Sequence, residues 1–237
     1  KIINLLVRKS LLKTALKCMN ISKYASIVFD CDGVVLNSNK IKTTAFYNAA
    51  LPYGTQAAED LSDYHIQHGG ISRYTKFEYF LSEIVKVKVE RTKIDILLSN
   101  YAREVKKGLQ SCEICTGLKS LRQASKSKWH IVSGGDQNEL REIFSSRDLT
   151  NFFDGGIFGS PDTKGTILLR EIHNKNIRLP ALFIGDSRYD YQAARASNID
   201  FVFAHGWTEM PGWNEYCEKH GLNSINNISC LSINPST

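Results

Sequence analysis

Apolar, β-forming residues gather along this chain in short runs, and most of these runs close on a polar residue or a glycine. Ile27, Val28 and Phe29 run straight into Asp30-Cys31-Asp32-Gly33, and comparable runs recur at WHIVS (129–133), at 157–159, at ALFIG (181–185) and at DFVFA (200–204). Continuous apolar runs of this length predict strands buried on both faces. Between them the apolar spacing lengthens to three and four, which predicts helices over 117–126, from Asp136 to about Ser146, from Thr163 to about Asn174, and over 189–197. Asp136 and Glu139 give the helix that runs to about Ser146 a start that resembles a capping box. Strands alternating with helices predict an α/β fold with a doubly wound parallel sheet.

One stretch breaks the alternation. Residues 40–51, 55–67, 71–86 and 90–107 all read as helices, and in the third Ile71, Tyr74, Phe77, Leu81 and Ile84 recur at helical spacing. Pro52, Gly54 and the Gly69-Gly70 pair punctuate them. The pattern predicts a helical cap inserted after the first strand. The expected division is an amphipathic amino-terminal helix within 1–22, a core built from 23–38 and 112–237, and a cap over 39–111. In the amino-terminal helix Ile2, Leu5, Leu6, Leu12 and Leu16 lean to one side, with Lys9, Lys13 and Lys17 elsewhere. It either packs on its own domain or a sister subunit, or offers a basic surface to a membrane or a partner protein.

Composition narrows the function classes. Of 237 residues, 42% are hydrophobic and 23% charged, as in ordinary globular proteins. The net charge of +6 favours anionic small molecules or surfaces. No dense basic run or nucleic-acid motif is present, so nucleic acid is not an expected partner. No stretch approaches the ~20 apolar residues of a membrane span. Arg8, Lys9 and Lys13 interrupt what a signal peptide would keep apolar. The six cysteines are dispersed, which predicts reduced thiols and a cytoplasmic protein. Cys112 and Cys115 form a lone CxxC without a second ligand pair at zinc-finger spacing.

Candidate chemistry sits at the strand ends. Asp30 and Asp32 share a side if strand geometry persists. If the chain turns at Cys31, they can still serve one site in split roles. Two carboxylates this close need a proton or a cation between them, and a divalent cation is the simplest remedy. Further along come Ser133 before Gly134-Gly135, Lys164 in GSPDTKG, and Asp186 with Asp190 in GDSRYD.

This ordered set closely resembles the haloacid dehalogenase (HAD) superfamily of phosphohydrolases, in its phosphoglycolate phosphatase and β-phosphoglucomutase-like branch with a helical cap. DCDGVV is similar to the first signature of that superfamily, Ser133 to the second, Lys164 to the third and GDSRYD to the fourth. The resemblance spans about residues 26–205 and implies a Rossmann-like core. It implies Asp30 as nucleophile, forming an aspartyl phosphate, and Asp32 as general acid and base. It implies Mg²⁺ held by Asp30, the backbone carbonyl of Asp32, and Asp186, with Asp190 orienting that shell. Ser133 and the Gly134 amide would hold phosphate oxygens, and Lys164 would neutralise charge on nucleophile and phosphoryl group. Asp162, where relatives often carry lysine, departs from the pattern and adds a negative charge near the third motif.

Specificity is expected in the cap, where His65, His68, Arg73, Tyr74 and Lys76 cluster beside the flexible Gly69-Gly70. Of these, His68, Arg73 and Lys76 are the candidate substrate readers. Arg73 and Lys76 suit an anionic or hydroxyl-rich substrate, or they belong to a solvated helix face. The expected activity is Mg²⁺-dependent hydrolysis of a small phosphorylated metabolite, such as a sugar phosphate or a phosphoglycolate-like compound, which would place the protein in carbohydrate metabolism. A phosphosugar mutase of the β-phosphoglucomutase type and a non-catalytic HAD-like binding subunit are the alternatives.

Overall fold

The computed structural model describes residues 19–233. The amphipathic amino-terminal helix expected over 2–18 lies outside them. Eight strands form in chain order: β1 (Met19–Asn20), β2 (Ser26–Phe29), β3 (Lys128–Asp136), β4 (Gly156–Ser160), β5 (Ala181–Gly185), β6 (Asp200–Ala204), β7 (Ser224–Ile225) and β8 (Leu231–Ser232). Six of them make one sheet in the order β4-β3-β2-β5-β6-β7, and every pairing in it is parallel. The remaining two, β1 and β8, pair with each other, also parallel.

The side-chain period of two explains why these runs are apolar without a break. Ile27 and Phe29 of β2 point into one core cluster with Trp129, Ile131, Leu182 and Ile184. Val28 points into the other, with Val132 and Phe183. Helices cover both sides. On the first lie α5 (Leu118–Ala124), through Leu118 and Leu121, and α6 (Gln137–Ser146), through Leu140, Ile143 and Phe144. On the second lie α7 (Lys164–His173), through Ile167 and Leu168, and α8 (Arg188–Ala196), through Ala193 and Ala194. The α/β doubly wound reading therefore holds.

Between β2 and β3 run α1 (Asn39–Ala50), α2 (Thr55–Gln67), α3 (Arg73–Tyr79) and α4 (Arg91–Ser111). The expected single helix over 71–86 is α3 followed by a π-helical turn at Phe80–Ile84. Aromatic packing organises this layer: the Phe46 ring lies 4.4 Å from Tyr101 and 5.2 Å from Phe77. Past β6 lie α9 (Trp213–His220) and the short edge strand β7.

The strand order places the reversal of winding between β2 and β5. The chain steps outward from β2 to β3 and β4, then returns to add β5 on the other side of β2. Open α/β sheets bind ligands in the crevice outside the strand ends at such a reversal. Asp30 and Asp186 follow directly on these two strands.

Trp129 ties the first core cluster together. It is fully buried, its ring lies 4.7 Å from Phe29 and 6.1 Å from Phe153, and its indole N–H donates to Ser125 Oγ at 3.2 Å. Trp129→Ala is expected to cost about 3–5 kcal/mol of unfolding free energy, read as a lower denaturant midpoint.

Candidate active site

The chain turns immediately after β2. Val35 and Leu36 donate their backbone N–H groups back to the Cys31 carbonyl, so strand geometry does not persist through Asp32. The two aspartates of the DCDG run consequently take different partners. Asp30 Oδ2 meets Lys164 Nζ at 2.9 Å, and its Oδ1 accepts the Cys31 N–H at 2.7 Å. Asp32 is ion-paired with Lys42 and accepts the Ser38 hydroxyl at 2.6 Å.

Lys164 is the first residue of α7, whose N-cap Thr163 accepts the Thr166 N–H. That start aims the fully buried ammonium at Asp30 on one side and at Asp190 Oδ1, 2.5 Å away, on the other. Asp190 is fixed in turn by a capping box: Ser187 donates its N–H and hydroxyl to Asp190 Oδ2, and Ser187 Oγ accepts the Asp190 N–H. Asp186 follows β5, where Asn39 donates to its Oδ2 at 2.6 Å and Thr208 donates to its carbonyl oxygen at 2.7 Å. Ser133, fully buried within β3 just after Val132, where the pairing with β4 shifts register, accepts the Gly135 N–H at 3.1 Å.

Gly33 is a glycine for a steric reason. Its φ is +74°, and a Cβ there would lie 2.1 Å from Asp186 Oδ2 and 2.4 Å from Asn39 Nδ2. The first motif and the fourth are thus in direct contact through a position that admits no side chain.

A family model for haloacid dehalogenase-like hydrolases matches residues 27–204, which contain all four motifs. The chain belongs to this family. Among solved structures it resembles a predicted phosphatase from Clostridium acetobutylicum, with a TM-score of 0.69 and 19% identity over 88% of this chain and 96% of that one. CbbY from Rhodobacter sphaeroides, in complex with phosphate, gives a TM-score of 0.66 and 13% identity over 88% and 99%. A predicted phosphoglycolate phosphatase from Haemophilus somnus gives 0.60 and 16% over 77% and 86%. At these identities the likeness is one of fold. A comparison with curated proteins returned no match.

The charge balance of this HAD-family site bears on a metal. Asp30, Asp186 and Asp190 each bring a carboxylate oxygen within 4.8 Å of the others. One ammonium, Lys164, faces these three carboxylates. Burial, which would strip Lys164 of its proton, is outweighed by Asp190 and Asp30, which hold its pKa well above the ordinary lysine range. Burial raises Asp30 to about 7 against the opposing pull of Lys164, and Asp190 and Asp32 push it further up. Burial, with Asp30 and Asp190, also lifts Asp186 well above the usual carboxylate range. An all-oxygen donor set with surplus negative charge fits a hard divalent cation. Both oxygens of Asp190 and both of Asp30 already have a donor, whereas Asp186 accepts a side-chain hydrogen bond on Oδ2 alone, so Asp186 has the freest electron pairs for such an ion.

Asp32 behaves differently. Burial favours its neutral form, but the Lys42 charge and the hydrogen bonds from Lys42 and Ser38 outweigh that and lower its pKa. Neither Lys42 nor Asn39 was singled out in the sequence. The polar stretch NSNKIK, seven residues after Asp30, was the available signal, and it reads equally well as a plain helix start.

Over the carboxylates lies a cavity of about 310 Å³, lined on its far side by residues of α1, α2, α3 and α4. The Gly69-Gly70 loop closes one edge of it. It is closely packed rather than open: a Cβ on Gly134 would lie 2.3 Å from the Gly70 carbonyl oxygen, and one on Gly70 would lie 2.9 Å from Ser187 Oγ. The candidate readers separate here. Arg73 and Lys76 are 6% and 1% exposed, so neither lies on a solvated face. Arg73 pairs with Glu139 at 2.7 Å, which bridges α3 to α6. Glu139 therefore serves Arg73, while Asp136 alone caps α6 by accepting from the Asn138 and Glu139 N–H groups. His68 stacks on Tyr64 with ring centroids 4.1 Å apart. Lys76 Nζ lies 2.6 Å from His65 Nδ1 and 5.4 Å from the centre of the Phe46 ring.

Two features of the sequence stay outside the site. Asp162 is neutralised by Arg170 on the surface. Among the described residues the acidic cluster is the one group of three or more metal-type ligands, so the Cys112–Cys115 pair gathers no further ligand. Cys112 Sγ instead accepts from Arg147 at 3.2 Å.

Gly33→Ala is expected to displace Asp186 and Asn39 and to lower kcat by roughly a hundredfold, the scale of a 1 Å misplacement, in a protein that still shows a cooperative melt. Lys76 supplies a pH test. Burial, with the Lys42 charge adding, lowers its pKa to about 7, against a smaller opposing effect of Asp32; His65 is its hydrogen-bond partner, and the Lys164 charge also lowers it. The unfolded chain then binds one more proton than the folded protein between about pH 7 and the ordinary lysine pKa of ~10.4, so this side chain makes stability rise with pH. Lys76→Met is expected to gain on the order of a few kcal/mol over wild type at pH 7 and little at pH 10, measured by urea unfolding at both.

Proposed function

We propose that this chain is a Mg²⁺-dependent phosphatase that hydrolyses a phosphate monoester of a small metabolite through an aspartyl phosphate on Asp30. The observation that carries the reading is the placement of Asp30. Its carboxylate stands at the winding reversal, held by Lys164, grouped with Asp186 and Asp190, and lining the cavity beneath the helical layer. A carboxylate in that setting suits attack on phosphorus better than it suits binding alone.

Asp30 Oδ1 and Oδ2 have fixed donors, so the group approaches a substrate in one orientation. Lys164 offsets negative charge as the phosphoryl group transfers, and because Asp190 holds it, it needs no rearrangement. The Ser133 hydroxyl and the Gly134 N–H would hold non-bridging phosphate oxygens at the β3 end. Asp32, kept ionised by Lys42 and Ser38, is set to take a proton from the water that attacks the aspartyl phosphate. To donate a proton to the leaving oxygen in the first step, it must first gain one as a substrate enters beside Lys42. Mg²⁺, held by Asp30 and Asp186 with the Asp32 carbonyl, would supply charge neutralisation between nucleophile and phosphate. Asp190 orients this group rather than ligating. The helical layer over 39–111 acts as the cap that excludes water from the intermediate.

A cavity of about 310 Å³ supports a small metabolite, such as a sugar phosphate or a phosphoglycolate-like acid, as the substrate. The printed names of two similar structures, a predicted phosphatase and a predicted phosphoglycolate phosphatase, point the same way. A role in carbohydrate metabolism belongs to this reading. So does a cytoplasmic setting, with which the five described cysteines, all unpaired, are compatible. No helix among the described residues is long and apolar enough to cross a membrane.

Purified protein is expected to release phosphate from p-nitrophenyl phosphate with Mg²⁺, to stop with EDTA and to resume on adding Mg²⁺ back. Asp30→Asn is expected to lower kcat by roughly a thousandfold or more. Turnover that persists undiminished in Asp30→Asn would overturn the assignment.

A further inference from the structure

The first turn of α1 serves the site more than it serves the helix. Ser38, its N-cap, accepts no capping hydrogen bond and gives its hydroxyl to Asp32 at 2.6 Å. Asn39, the first helical residue, donates from one amide nitrogen to two acceptors. They are Asp186 Oδ2 at 2.6 Å and the Trp207 carbonyl oxygen at 2.9 Å. A carboxylate that is to hold a cation and a peptide carbonyl both only accept, so the amide must present its NH2 group to them. Asparagine is among the weaker helix formers, and Asn39 makes no cap, so helix formation gives no reason for it here.

Asp186 is hemmed in around Oδ2. A Cβ on Gly33 would lie 2.1 Å from that oxygen, so the Gly33 backbone closes one side of it and Asn39 another. Thr208, beside Trp207 in the turn after β6, donates its hydroxyl to the Asp186 carbonyl oxygen at 2.7 Å and so holds the main chain. This turn lies beyond residue 204, where the match to the family ends. Among the described residues, Asp186 Oδ1 accepts no side-chain hydrogen bond. One oxygen of the carboxylate is thus tied down and the other is left for a cation. Outer partners that orient a metal ligand in this way are worth about ten- to a hundredfold in metal affinity.

We propose that Asn39 is a positioning residue for Mg²⁺: anchored on the Trp207 carbonyl, it holds Asp186 Oδ2 and leaves Oδ1 for the ion. This role rests on the Mg²⁺-dependent reading and adds to it a residue outside both the four motifs and the ligand set. Asn39 acts through Asp186 and not on the reacting atoms, so it governs metal affinity and not the chemical step. The same helix carries a built-in comparison. Thr43, one turn further on, donates to Glu209 Oε2 at 2.6 Å. It docks α1 on the same turn after β6 without touching Asp186. If docking of α1 were all that mattered, Thr43 would matter as much as Asn39.

The test titrates the protein with Mg²⁺ alone at constant ionic strength and follows the rise in melting temperature, which reports binding without turnover. Asn39→Ala is expected to weaken Mg²⁺ binding roughly tenfold or more, and Thr43→Val to leave it unchanged. With p-nitrophenyl phosphate, Asn39→Ala is expected to need correspondingly more Mg²⁺ for half its maximal rate and to approach the wild-type kcat at saturation. Equal Mg²⁺ affinity in wild type and Asn39→Ala would overturn the proposal. So would an equal loss in Thr43→Val, or a kcat that stays low at saturating Mg²⁺. Wild-type protein gives a second measurement that does not depend on a variant folding. The assigned side-chain amide resonances of Asn39 are expected to shift along the same Mg²⁺ titration, and resonances that stay in place while the ion binds would overturn the role. A wild-type protein that binds no Mg²⁺ sinks the metal-dependent reading beneath; wild-type binding that Asn39→Ala matches sinks this role alone.

Discussion

One buried ammonium holds the centre of this protein together. Lys164 enters from the first turn of α7 and bridges Asp30 on β2 to Asp190 on α8. Without it three carboxylates would share a space sealed from water, and that arrangement is unstable unless protons or cations intervene. The capping box at Ser187 fixes Asp190, Asp190 fixes Lys164, and Lys164 fixes Asp30. A buried helix-capping device is thus connected in three steps to the proposed nucleophile. The surplus of negative charge that remains fits a hard cation, so structural constraint and proposed chemistry have the same origin.

The parallel sheet makes that convergence possible. Its winding reverses between β2 and β5, and residues distant in sequence emerge side by side at the same edge. Gly33 shows how closely: it lets the loop after β2 press against Asp186, at the cost of a left-handed backbone that glycine alone adopts freely. The helical layer then closes the crevice from above. Its cations are unequal. Arg73 works as a strut between layers, Lys42 pairs with Asp32, and Lys76 lies buried beside the His65 ring with no carboxylate among the described residues within ion-pair distance.

Much of this was legible in the chain before any coordinates. IVFDCDG reads as a strand ending in chemistry because an uninterrupted apolar run can only be buried on both faces. The ordered appearance of Ser133, Lys164 and GDSRYD adds the family. What was not legible depends on tertiary docking. Arg73 and Lys76 are three residues apart on one helix and look alike in sequence. Only the approach of α6 shows that one of them is satisfied by Glu139. Lys42 and Asn39 sit in a polar stretch that any helix start could carry, and their partners lie on different strands' loops. The Gly69-Gly70 pair reads as flexible, yet it is packed against Gly134 and Ser187 because the backbone there must come close. In the tail, α9 is short and flanked by left-handed Gly212 and Gly221, so it presents too few apolar positions for periodicity to register.

The most direct test of the account is to look for the covalent step itself. Protein turning over a phosphomonoester with Mg²⁺ is quenched in acid, and the peptide containing Asp30 is weighed by mass spectrometry over time. The account predicts a peptide heavier by one phosphoryl group, carried on Asp30 and turning over at the rate of product release. A phosphoryl group found on Ser133 or elsewhere, or none during sustained turnover, would contradict it.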